Sequence, residues 1–159
     1  MPSSIKRFAL VLGLGLLVPL VAGDSPAYAA PPTGSSEDWP RTAAEDEVWK
    51  LYMDGRLLTA RRKVEELLAE DEDSIVGHFV LGSVLREAEG SLPQAMHHVG
   101  RARELYENKY IPGRTPGAPW PLHREILYAA QRTAGELERN EYRLQLIDFH
   151  DSLYSPRLT

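Results

Sequence analysis

The stretch from Arg41 to Ala102 nearly repeats itself after 34 or 35 residues, and no other feature limits the possible folds so tightly. Val48 and Leu51 recur 34 residues later as Gly82 and Leu85; Ala60, Val64 and Leu67 recur 35 residues later as Ala95, Val99 and Ala102. A period of that size fits one helix-turn-helix unit, which cannot bury its apolar face alone and must stack on a neighbour. The spacing therefore predicts an all-α chain of paired helices.

The first pair reads as Thr42 to Asp54 and Leu58 to Ala69, separated by Gly55. Thr42 is an N-cap candidate, and Glu45, Asp46 and Glu47 complement the dipole of the first turn. The second pair breaks at Gly90-Ser91 and has Pro93 in the first turn of its second helix, where a missing N–H costs nothing. Its stripes are Phe79, Leu81, Gly82 and Leu85, then Ala95, Val99, Ala102 and Leu105. The third pair is predicted over His123 to Arg139 and Tyr142 to Tyr154, with a turn at Asn140 and a stop before Pro156.

These positions resemble the tetratricopeptide repeat family, whose units carry a small residue in the first helix, a glycine-like turn, small residues in the second helix and a terminal proline. Gly82, Gly90, Ala95 and Ala102 match in the second unit, Gly55 and Ala60 in the first, and Pro156 in the third. Val48 and Leu67 stand where small residues are usual, and the third unit lacks the turn glycine. The resemblance implies a right-handed α-solenoid of about three hairpins over 41–156, with repeats at 41–74, 75–109 and 122–156. It also implies a concave groove for a peptide or protein segment, lined by Trp49, Tyr52, Met53, Phe79, Ser83 and Arg86. Helical spacing leaves a second place open for Tyr52 and Phe79, in the interhelical core. Trp49 lies off the stripe of Val48 and Leu51 and is expected to be exposed.

Between the second and third pairs, 110–121 holds four prolines and two glycines, so no regular helix is expected to cross it. It reads either as a tolerated surface insertion or as a recognition element anchored by Tyr110 and Trp120. The last helix shows Tyr142, Leu146, Phe149 and Leu153 on one stripe, and Leu144, Ile147 and Tyr154 widen its apolar arc beyond half the circumference. Stack ends need a polar cap, so the loop with Trp120, a second copy or a partner should cover that face. Leu144, Ile147 and Tyr154 are therefore candidate assembly residues, with a homodimer as one outcome.

At the N-terminus, Lys6 and Arg7 precede an uncharged apolar run from Phe8 to Gly23, and Ala27-Tyr28-Ala29 supplies a small-x-small cleavage pattern. This is the pattern of a secretory signal peptide over 1–29, followed by a polar leader over 30–40. The alternative, a retained anchor, has sixteen residues with Pro19 and three glycines inside, against the roughly 20 apolar residues of a spanning helix. Cleavage leaves 130 residues and, with Lys6, Arg7 and Asp24 removed, shifts the net charge from −5 to −6. That acidity argues against a nucleic-acid partner. The absence of cysteine excludes disulfides, zinc-thiolate sites and lipidated cysteines.

Among the histidines, His97 and His98 are adjacent and project about 100 degrees apart on a helix, which does not form the i, i+4 pair of a helical metal site. The acidic run at 70–73 lacks the spaced ligands and glycine of a calcium loop. No phosphate loop, nucleophile elbow or zinc helix occurs. The sequence thus leads to a non-catalytic interaction module or scaffold, exported to the periplasm or beyond, without cofactor or metal. The alternatives are a permanent subunit assembled through its last helix and, further off, a metal-dependent hydrolase.

Overall fold

The computed structural model describes residues 41–111 and 114–155; the signal-peptide and leader readings over 1–40, and Pro156, lie outside them. The described residues are all-α: α1 (Ala43–Met53), α2 (Leu57–Glu70), α3 (Ile75–Glu89), α4 (Leu92–Lys109), α5 (Trp120–Glu136) and α6 (Asn140–Tyr154). Among them, no helix is long and apolar enough to cross a membrane.

Each helix has a local reason to start. Thr42 and Glu45 form a capping box on α1, the hydroxyl accepting from the Glu45 N–H while the carboxylate accepts from the Thr42 N–H. Ser74 caps α3 by accepting from the Gly77 N–H at 3.0 Å. Pro93 and Pro121 occupy the first turns of α4 and α5, where a fixed φ suits the helix and no N–H is needed.

Within each pair, the turn is closed by one residue in the left-handed region: Gly55 at φ 70°, Gly90 at φ 65° and Glu138 at φ 58°. In the first and third turns the hydrogen bonds match. Arg56 N–H donates to Leu51 C=O and Gly55 N–H to Tyr52 C=O; Arg139 N–H donates to Ala134 C=O and Glu138 N–H to Gly135 C=O. Both are Schellman turns. The third unit therefore lacks the glycine without lacking the turn, and Glu138 adopts a conformation that glycine takes at lower cost.

Successive helices pack on each other, and the odd-numbered helices also meet, α1 on α3 and α3 on α5. Backbones of the even-numbered helices do not approach; α4 and α6 meet through Arg103, whose guanidinium lies 5.0 Å from the Phe149 ring centre. Helix α3 is the centre of this arrangement, with every residue from Val76 to Leu85 buried. Gly82 is required there by close approach, since a Cβ would lie 2.6 Å from Val99 Cγ2 and 3.0 Å from the Ala95 carbonyl oxygen. One apolar core runs from Val48 to Leu146.

The third pair departs from the boundaries read from the sequence. α5 begins at Trp120, three residues before His123, and ends at Glu136; α6 begins at Asn140, not Tyr142. Pro119 and Pro121 read as breakers in the sequence, yet Pro121 initiates the helix. The non-helical insertion is shortened accordingly, and Trp120 belongs to α5.

Candidate functional site

The residues that the resemblance assigns to a groove mostly pack on one another. Trp49, Phe79 and Ser83 are buried, and Tyr52 is half-buried. The Trp49 ring centre lies 5.7 Å from Phe79, and Tyr52 meets Phe79 edge-on at 6.1 Å. The expected exposure of Trp49 is thus corrected: at 8% exposed, it is packed against Phe79 with the Arg41 guanidinium 5.7 Å from its ring. Tyr52 donates its hydroxyl to Glu87 at 3.3 Å; burial, with the Glu87 charge, pushes its pKa up. The Arg86 side chain is buried between Glu87 at 2.5 Å and Glu136 at 3.3 Å, joining the second pair to the third. Met53, 60% exposed, is the member most open to solvent.

An opening lies elsewhere, where the first turns of α1, α3 and α5 meet the last turns of α4. This cleft has a volume of about 490 Å³. Ile75, Val76, Leu105 and Leu122 supply apolar lining, Tyr110 and Pro119 bring both ends of the insertion to it, and Glu45, Asp71 and Asp73 place three carboxylates against the single ammonium of Lys109. The acidic side is built by short-range geometry. The Ser74 hydroxyl donates to Glu45 at 2.7 Å, tying α1 to α3, and Asp71 accepts from the Asp73 N–H at 3.2 Å. Arg101 of α4 holds Asp73 at 2.8 Å. Tyr110 leans on Tyr106 at 5.0 Å between ring centres, so the start of the insertion is fixed to α4.

In the last pair, Trp120 lies 6.3 Å from Tyr154, and Arg124 sits 5.6 Å from the Trp120 ring and 5.8 Å from Tyr128. His123 is fully buried, stacked on Tyr106 at 4.4 Å. Its Nε2–H donates to Glu107 at 3.4 Å, which leaves Nδ1 to accept the Tyr154 hydroxyl at 2.5 Å. Burial drives the His123 pKa down, while Glu107 is lowered because hydrogen bonds from His123 and Arg103 outweigh burial. Tyr154, a candidate assembly residue, is therefore turned toward α5. Ile147 is half-buried, and Leu144 stands 60% exposed.

A third cluster was invisible to sequence spacing because its members lie 20 residues apart. His78 of α3 and His98 of α4 bring their Nδ1 atoms to 2.9 Å with rings stacked, while His78 Nε2 lies 2.9 Å from the Glu72 carbonyl. His97 is exposed beside His98, and these two with Arg61, Glu65 and Gln94 line a second cleft of about 460 Å³ between α2 and α4. Among the described residues, no three histidine or carboxylate groups are placed to share a metal ion. The acidic cleft was missed as well; the Thr42, Glu45 capping pattern, the acidic run at 70–73 and the insertion are its legible traces, but nothing in their spacing joins them.

Comparison with protein-family models, with curated proteins and with solved structures finds no match to this chain.

Proposed function

We propose that this chain is a non-catalytic protein-interaction module of tetratricopeptide-like hairpins, stacked as a right-handed solenoid and exported to the periplasm or beyond. Its binding site is the acidic cleft beside the insertion, and its occupant is an extended segment that alternates apolar and basic side chains. One observation carries the reading: an opening of about 490 Å³ joins an apolar floor to three carboxylates and is bordered by both ends of the insertion. Insertions in compact domains concentrate recognition, and charge complementarity selects the basic partner. The groove lined by Trp49, Tyr52, Met53, Phe79, Ser83 and Arg86 is the weaker site, since its aromatic anchors are occupied with one another.

The test is binding of a seven-residue peptide of alternating lysine and leucine to residues 30–159, followed by calorimetry. Leu105→Lys should abolish binding, whereas Met53→Lys should leave it intact. The reverse pattern moves the site to the groove.

A second reading, assembly as a permanent subunit through the last pair, rests on Leu144 of α6 and Tyr128 of α5, which stand 60% and 37% exposed. Light scattering separates the two: a stable monomer favours the cleft, and a dimer favours assembly.

A further inference from the structure

We infer that the His78–His98 pair is an acid-sensitive clamp behind the turn that walls the acidic cleft, so that mild acid loosens the 71–74 turn and weakens the cleft's hold on a basic, apolar segment. The inference rests on the cleft reading for its ligand and on independent geometry for the clamp.

The hydrogen bonds fix the proton positions. A carbonyl oxygen can only accept, so the contact of 2.9 Å to Glu72 puts a proton on His78 Nε2. Neutral His78 then offers a lone pair at Nδ1, and the 2.9 Å contact to His98 Nδ1 requires the proton to sit on His98. The chain runs from His98 N–H through His78 to the Glu72 carbonyl and ties the α2–α3 turn to α4. Asp71, Asp73 and Ser74 of that turn line the cleft. The exposed pair of Asp73 and Arg101 spans the same gap.

Protons disrupt this chain in two steps. The first leaves one imidazolium donating to its neutral partner and adds a cation beside His97, Arg101 and Arg61, which is paired with Glu65 and Glu89, with Asp73 the opposing charge. The second sets two N–H groups against each other across 2.9 Å. Burial pushes both imidazoles below their ordinary range, His98 to about 4 with the help of His78, His97 and Arg61. Both groups thus hold protons less tightly folded than unfolded. The clamp is complete above the unfolded value of 6.5 and is lost as pH falls toward 4.

Amide hydrogen exchange read residue by residue on the folded chain tests this without a ligand. Lowering the pH from about 7.4 to about 4.5 should raise opening of the 74–78 amides on the order of tenfold after correction for intrinsic exchange, ahead of the α1 and α5 amides. In His98→Asn the side-chain amide donates to neutral His78 and, flipped, accepts from protonated His78, so the pH response should shrink to the part set by burial of His78 itself. His98→Phe should open the turn at both pH values. Equal acceleration in all helices, an unchanged turn, or the same response in His98→Asn overturns the clamp. The alternating lysine–leucine peptide, tested at both pH values, should bind on the order of tenfold more weakly in acid to the natural chain alone. No binding at either pH overturns the cleft reading, and the exchange data then judge the clamp alone.

Discussion

Helices α3 and α6 have the same length, 15 residues each, and opposite fates. Ten consecutive residues of α3 are buried, because α1, α2, α4 and α5 all pack on it. In α6 only Leu146 and His150 are buried, and its one backbone neighbour is α5. Sequence and position act together here: residues 76–85 of α3 carry no Asp, Glu, Lys or Arg and meet four helices, whereas α6 carries Glu141, Arg143, Asp148 and Asp151 and meets one.

Three substitutions sharpen or break that contrast. Phe79→Ala removes a ring packed against Trp49 and Tyr52 at the centre and should cost about 4 kcal/mol in urea unfolding; a loss below about 1 kcal/mol would mean that α3 is less central than its burial indicates. Glu138→Gly should stabilise the third pair by roughly 0.5 to 1 kcal/mol, as glycine relieves the left-handed backbone at φ 58°. Thermal denaturation reads it, and a destabilised variant would sink the turn equivalence. Leu144→Lys should change stability by less than about 0.5 kcal/mol, because the side chain is 60% exposed. If the same change lowers the mass in light scattering, α6 has a neighbour in solution after all.

The helical pairs were legible because their cues are local: a capping Thr42, turn glycines at Gly55 and Gly90, and small residues at fixed offsets. The start of α5 was misread because proline stops a helix from inside but begins one from its first turn. Trp49 was misplaced for a different reason. Its burial depends on Phe79 and Arg41 converging from other segments, and no periodicity within α1 records them. The acidic cleft and the His78–His98 pair were likewise hidden, since each is made by segments far apart in the chain. Tertiary proximity, unlike helix formation, leaves no spacing to count.

The open space between α2 and α4 bears on how the first two pairs are joined. On that side the first two pairs are held apart by a gap of about 460 Å³, while on the opposite side α1 and α3 are locked by the Trp49, Phe79 contact and the Ser74, Glu45 hydrogen bond. The first pair thus meets the second through different contacts on its two helices: rings and a hydrogen bond from α1, and the Arg61–Glu89 ion pair beside open space from α2.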